Sequence, residues 1–250
     1  MIRAVLLDLD DTLLGNETEG FMRAYFSILG EWASELMDRD RFLRVLLMAT
    51  REVIRRQDTA VSNRDLFWHH FQALSGLDPE ALEPFFDRFY EQMFPKLASL
   101  TQPRPVARAL VQTCLEHGYK VVVATNPLFP RRAIEERLRW AGVPVSEFPY
   151  TLVTSYENMH AAKPNPAYYR QILEMIDCPA DAAIMVGDDW ENDIKPAAGI
   201  GMFTYWLPAD GEEPPDLATV TAFGSLEQFY ELVCDGWLQQ ISSYSRQESV

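Results

Sequence analysis

The first signal along the chain is a short apolar run, residues 4–7 (AVLL), that stops at Asp8. A brief run of this kind, bounded by polar residues, predicts a buried strand ending in a loop. From about Glu17 to Leu100 the pattern becomes helical. Phe21, Tyr25, Leu29, Trp32 and Leu36 recur at three- and four-residue spacing, followed by Phe42, Val45, Ala49 and Val53. Leu66, Phe67, Phe71 and Leu74 make a third segment, and Leu82, Phe85, Phe89 and Met93 a fourth. Such spacing gathers apolar side chains on one helix face. Ser62 with Asp65, and Asp78-Pro79, are helix-start signals for the last two segments. Met22, Met37 and Met48 fall within the helical segments and are expected to fill the core.

Beyond Gln102-Pro103-Arg104-Pro105, helices and strands alternate. Helices are predicted over 106–116, 131–140, 166–175, 194–198 and 226–233, and strands over 120–124, 150–154, 182–186 and 202–206. This alternation implies a parallel sheet with helices on both faces. The expected fold class is therefore α/β. A doubly wound core takes residues 1–15 and 101–240, a helical insertion takes 16–100 after the first strand, and 241–250 form a tail.

Charge narrows the partners. The chain of 250 residues has 22 Lys and Arg against 37 Asp and Glu, a formal net charge of −15. Neither nucleic acid nor an anionic membrane attracts such a protein. The acidic excess is concentrated in the core, at −11 against −4 for the insertion. Three scattered cysteines, Cys114, Cys178 and Cys234, offer no metal spacing and suit a reducing compartment. With no signal-peptide pattern and no run of about 18 apolar residues, a cytoplasmic protein is expected. Composition does not choose between monomer and homodimer.

Polar residues cluster where four strands end. The first ends at Asp8-Leu9-Asp10-Asp11-Thr12, the 120s strand at Thr125-Asn126, and the 182–186 strand at Gly187-Asp188-Asp189-Trp190-Glu191-Asn192-Asp193; Lys163-Pro164 follows the 150s strand. In a doubly wound sheet, ligands bind beyond the carboxyl ends of the strands. Asp8 and Asp10, two residues apart, leave an extended chain on the same face. With Asp188 they form three carboxylates that repel one another unless a cation intervenes. Oxygen-only ligation suits a hard ion such as Mg²⁺. Lys163 and the Thr125 hydroxyl supply what a transferring phosphoryl group needs around its oxygens. One carboxylate can then serve as nucleophile. Each feature alone also reads as a cap, turn or surface residue.

These four segments, in this order, resemble motifs I to IV of the haloacid dehalogenase (HAD) superfamily, over residues 1 to about 235. The insertion resembles a C1-type cap of the phosphoglycolate phosphatase-like subfamily, on a Rossmann-like core. The resemblance implies Asp8 as nucleophile and Asp10 as the acid that protonates the leaving alcohol and then the base that activates water. It implies Thr125, Asn126 and Lys163 around the phosphoryl group, with Lys163 also stabilising Asp8. Mg²⁺ would be bound by Asp8, Asp188 and the Asp10 backbone carbonyl, with Asp193 and Asp189 behind or through water. The implied activity is Mg²⁺-dependent hydrolysis of a small phosphorylated metabolite through an aspartyl-phosphate. Dehalogenases of the superfamily lack the second Asp of motif I, so Asp10 favours a phosphatase. Lys96 is the sole lysine of the insertion, which argues against a phosphonatase. A β-phosphoglucomutase-like mutase uses the same motifs and stays open. Of non-enzymes, a phospho-receiver domain fits poorly, because its acceptor lies on a later strand and it has no cap; a cation-binding scaffold would keep the motifs without turnover. Substrate choice is expected from the insertion, where Arg51, Arg55, Arg56 and Trp68-His69-His70 are candidates. Trp190 either crowds the site or packs beneath the cap.

Overall fold

The computed structural model describes residues 1–16, 18–209 and 211–244. Six strands form one parallel sheet in the order β5-β4-β1-β6-β7-β8. They are β1 (Ala4–Leu7), β4 (Lys120–Val123), β5 (Leu152–Val153), β6 (Ala183–Gly187), β7 (Phe203–Trp206) and β8 (Ala222–Phe223). Alternation along the strands explains the two layers of core. Val5, Leu7, Val121, Val123, Ile184 and Val186 pack on one face against α5 (Pro105–Glu116), α6 (Arg131–Trp140) and α9 (Leu226–Cys234). Ala4, Leu6, Val122, Ala183 and Met185 pack on the other against α7 (Pro166–Met175) and α8 (Lys195–Ala198). Strands buried on both faces lose the polar alternation of half-exposed ones, which is why these runs are uniformly apolar.

β1 lies between β4 and β6, with Leu7 opposite both Val123 and Val186. The strand order reverses there, so a crevice opens beyond the carboxyl end of β1. Asp8, Thr125 and Asp188 follow these three adjacent strands.

Four helices leave the core between β1 and α5: α1 (Thr18–Trp32), α2 (Arg39–Arg55), α3 (Asn63–Ser75) and α4 (Pro79–Gln92). Asp38, Ser62 and Asp78 cap the last three through their side chains. The helices share an aromatic core around Phe42, Phe71 and Phe89. The chain enters and leaves them through a two-stranded antiparallel pair, β2 (Leu14–Asn16) and β3 (Thr101–Pro103). A Cβ on Gly15 would stand 3.2 Å from the Gln102 carbonyl oxygen, so the pair is close there.

Several expectations differ from the structure. The β2–β3 pair and β8 are too short to show periodicity. α10 (Trp237–Tyr244) extends into the expected tail and buries Leu238 and Ile241 in the core; residues 245–250 lie outside the described ones. Met48 is half exposed rather than core filler, as is its neighbour Leu47. Phe42, Val45, Ala49 and Val53 take the buried side of α2, leaving Met48 at its surface and Leu47 at the edge of a cavity between the helices. No helix among the described residues is long and apolar enough to cross a membrane.

Candidate active site

Lys163 is the hub. Its ammonium, 3% exposed, donates to Asp8 Oδ1 at 2.7 Å and to Asp193 Oδ1 at 2.5 Å. One carboxylate oxygen from each of Asp8, Asp188 and Asp193 lies within 4.8 Å of the others. Gly187 makes this possible: a Cβ there would meet Asp193 Oδ2 at 2.2 Å. Asp188 is oriented from two sides. Thr12 Oγ1 donates to its Oδ1 at 3.2 Å, and Trp206 Nε1 donates to its backbone oxygen at 2.7 Å. Trp190 stacks edge-on against Trp206, so it buttresses this support.

Asp8 and Asp193 share one ammonium, and Asp188 stands beside them without a cation, leaving negative charge uncompensated. Burial pushes the Asp8 carboxyl well above the usual range; Lys163 opposes this, while Asp193, Asp188 and Asp10 add to it. Burial likewise lifts Asp188, to about 7, with Asp193 and Asp11 contributing repulsion. For Lys163, burial disfavours the charge, but Asp193 and Asp8 outweigh it and keep the ammonium protonated. A hard dication would relieve this repulsion, and the all-oxygen donor set fits Mg²⁺.

The other expected residues divide. Thr125 is buried at the end of β4, its backbone oxygen accepting from Thr154 Oγ1 at 2.8 Å and the Tyr168 hydroxyl at 2.9 Å. Asn126 Oδ1 is buried without a hydrogen-bond partner. Asp189 turns away: it caps the π-helical turn Trp190–Ile194, accepting from the Glu191 and Asn192 amides. Leu9, between Asp8 and Asp10, is buried in the core layer of Val5 and Leu7, so the alternation of β1 carries on to Asp10. The backbone turns at Asp11, φ 57°, and the Asp10 carboxylate pairs with Arg137 of α6. The third carboxylate of the cluster is Asp193. Arg137 is buried, lies 4.7 Å over the Phe129 ring, and has Nη2 without a partner.

The four-helix insertion rests on this face. Asn63, fully buried, donates to the backbone oxygens of Pro127 (3.2 Å) and Ala161 (3.0 Å). Tyr25 packs on Phe129 at 5.3 Å, and Phe94 stacks on Trp140 at 5.2 Å. Arg56 is held by backbone oxygens at Asp58 and Val61. His69 is exposed, whereas Trp68 is buried.

A family model described as haloacid dehalogenase-like hydrolase matches residues 2–201. The chain belongs to that family. Among similar proteins is the haloacid dehalogenase-like hydrolase domain-containing protein 3 of Xenopus laevis, 32% identical over 45% of this chain and 43% of that one. Relatives of that name are matched over about half their length. A phosphoglycolate phosphatase of Rhodospirillum rubrum is 27% identical over 95% of this chain and 91% of its own. A 2-haloacid dehalogenase of Pseudomonas syringae shares the fold, with a TM-score of 0.62, 22% identity, and coverage of 95% of this chain and 100% of that one.

Four residues of this HAD hydrolase escape motif reading. Thr12 and Gly187 stand inside motifs I and IV, where their position is visible but not their contact. Arg137 and Asn63 stand on helices far from any motif, and no local pattern marks them. Arg137 is one of four arginines in a ten-residue helix, and only the fold decides which is buried.

Proposed function

We propose that this protein is a Mg²⁺-dependent phosphomonoester hydrolase working through an aspartyl-phosphate on Asp8. The Asp8–Asp188–Asp193 cluster, with Lys163 bridging Asp8 and Asp193, carries this reading. The name of the full-length relative from Rhodospirillum rubrum agrees with it.

Asp8 attacks phosphorus through a carboxylate oxygen, and the bond from phosphorus to the leaving oxygen breaks. Asp10 gives that oxygen a proton, then takes one from the water that attacks the aspartyl-phosphate; inorganic phosphate leaves and the Asp8 carboxylate returns. Lys163 fixes Asp8 and neutralises charge on the phosphoryl oxygens, which Thr125 and Asn126 also bind. Asp8 and Asp188, with the Asp10 carbonyl, would hold Mg²⁺, which supplies Lewis-acid charge stabilisation when bound. Asp193 serves by holding Lys163, and Asp189 by capping the turn that carries Asp193. Arg137 fixes the Asp10 carboxylate in the orientation that proton transfer needs. Residues 16–100 act as a cap that shields the site from water, over a core of residues 1–15 and 101–240.

The test is steady-state hydrolysis of p-nitrophenyl phosphate with Mg²⁺. Asp8→Asn should lower kcat by at least about 10³-fold. Undiminished turnover would refute the assignment.

A further inference from the structure

Between the four cap helices and the loop that follows Thr125-Asn126 lies a cavity of about 130 Å³. Tyr25, Phe42, Phe67, Trp68, Phe86 and Tyr90 give it aromatic walls, and Leu128 and Phe129 close it from the core side. Among the described residues that line it, none is charged. A smaller void shares Thr50, Phe67, Leu128 and Tyr156 with it and reaches Pro127, next to Asn126. Phe129 carries the Arg137 guanidinium that holds Asp10. The cavity thus reaches the loop that follows Thr125-Asn126, and through Phe129 and Arg137 it is linked to Asp10.

We propose that this cavity receives the alcohol side of the substrate, and that this alcohol is a small aromatic or branched apolar group about one ring in size. The inference rests on the phosphomonoesterase reading. Protein interiors are packed to the density of organic crystals, so an apolar void of this size in an aromatic core is unfavourable when nothing fills it. An engineered apolar cavity of about 150 Å³ takes up benzene, which sets the scale of the occupant. The walls also exclude: hydroxyls of a polyol would be buried with few partners, at a cost for each. The polar groups are few and placed. The Tyr25 and Tyr90 hydroxyls bond each other at 2.9 Å, which uses one of their two protons. The Trp68 Nε1–H is buried and faces the Tyr156 hydroxyl, an acceptor already within the cavity wall.

The experiment compares benzyl phosphate with glycerol 3-phosphate, both esters of primary alcohols, so that intrinsic reactivity is closely matched. Wild-type kcat/KM should favour benzyl phosphate by roughly tenfold or more, the scale set by burying one ring. Leu46→Trp, which fills the cavity, should bring that ratio toward one. Benzyl alcohol should inhibit wild type competitively and bind saturably by ligand-observed NMR, and Leu46→Trp should abolish that binding. If the variant does not fold, the wild-type ratio and the benzyl alcohol titration decide. Equal or better use of glycerol 3-phosphate would overturn the inference while leaving the hydrolase reading intact. Turnover of neither ester while p-nitrophenyl phosphate is hydrolysed would overturn the inference, failure on p-nitrophenyl phosphate as well would refute the hydrolase reading, and absence of benzyl alcohol binding would independently overturn the cavity's role.

Discussion

The two parts that meet beyond the strand ends are built on opposite physics. On the core side, Lys163, Asp8 and Asp193 form a buried ionic cluster in which every contact is directional. On the cap side, a cavity of about 130 Å³ is walled by rings, and its contacts are dispersive. Charge at close range tolerates almost no displacement, because a charged group stripped of its partner in a buried place is costly. An aromatic wall adapts to many shapes and discriminates weakly, one group at a time. On the function proposed above, the chemical step belongs to the core and the choice of alcohol to the cap.

The largest effect that would sharpen this contrast comes from one methyl group. Gly187→Ala puts a Cβ where the Asp193 carboxylate lies and should dislodge it from Lys163. We expect kcat to fall roughly 10²-fold or more on every substrate alike. A loss confined to substrates with bulky alcohols would break the division of labour.

Arg137→Met should cost somewhat less, about 10–10²-fold in kcat with little change in KM, since Asp10 stays but is no longer held. Arg137→Lys should recover part of it. Esters with poor leaving groups should suffer more than p-nitrophenyl phosphate, because they depend more on the proton Asp10 delivers. A uniform loss across leaving groups would reduce Arg137 to a packing role.

The ionic side should also respond to metal and pH. Asp188 stands at about 7 in the metal-free fold, above its value in an unfolded chain, near 3.9. The folded state therefore holds more protons in that window, and its stability falls as pH rises from about 4 through 7. Metal-free protein should melt at a lower temperature at pH 8 than at pH 6. Mg²⁺ should raise the melting temperature more at pH 8, and Asp188→Asn should flatten the pH dependence. A pH-independent melting curve without metal would contradict the charge balance described.

The smallest effect is at the seam. Asn63→Ala leaves the Pro127 and Ala161 carbonyls without their buried donor and should cost about 1–3 kcal/mol of stability by chemical denaturation. Phosphoryl chemistry on small esters should change little by comparison.

How much of this was readable without coordinates follows the range of the forces. Apolar periodicity placed β1, β4, β6 and β7 and all four cap helices, because burial on one face or two writes itself into consecutive residues. The order of strand-end motifs placed Asp8, Thr125, Lys163 and Asp188, since a parallel sheet delivers its carboxyl ends to one edge. Short elements stabilised by their neighbours, such as β8 and the β2–β3 pair, left no periodic trace. The spacing of Asp8 and Asp10 was local and legible, whereas the arginine that holds the second carboxylate comes from a helix 127 residues away.

The sequence by itself determined the fold class, the family and the residues that bring charge to the site, all of which depend on local pattern. Only the tertiary structure decided that Asp193 completes the carboxylate cluster, that Arg137 holds Asp10, and that an aromatic cavity lies between the cap helices and the loop after Asn126. Lys163 reaches Asp193 across 30 residues, Arg137 reaches Asp10 across 127, and Lys163 reaches Asp8 across 155. Whether a buried charge or ring finds its partner across such a distance is set by how helices pack, and the pattern of any one segment carries no record of it.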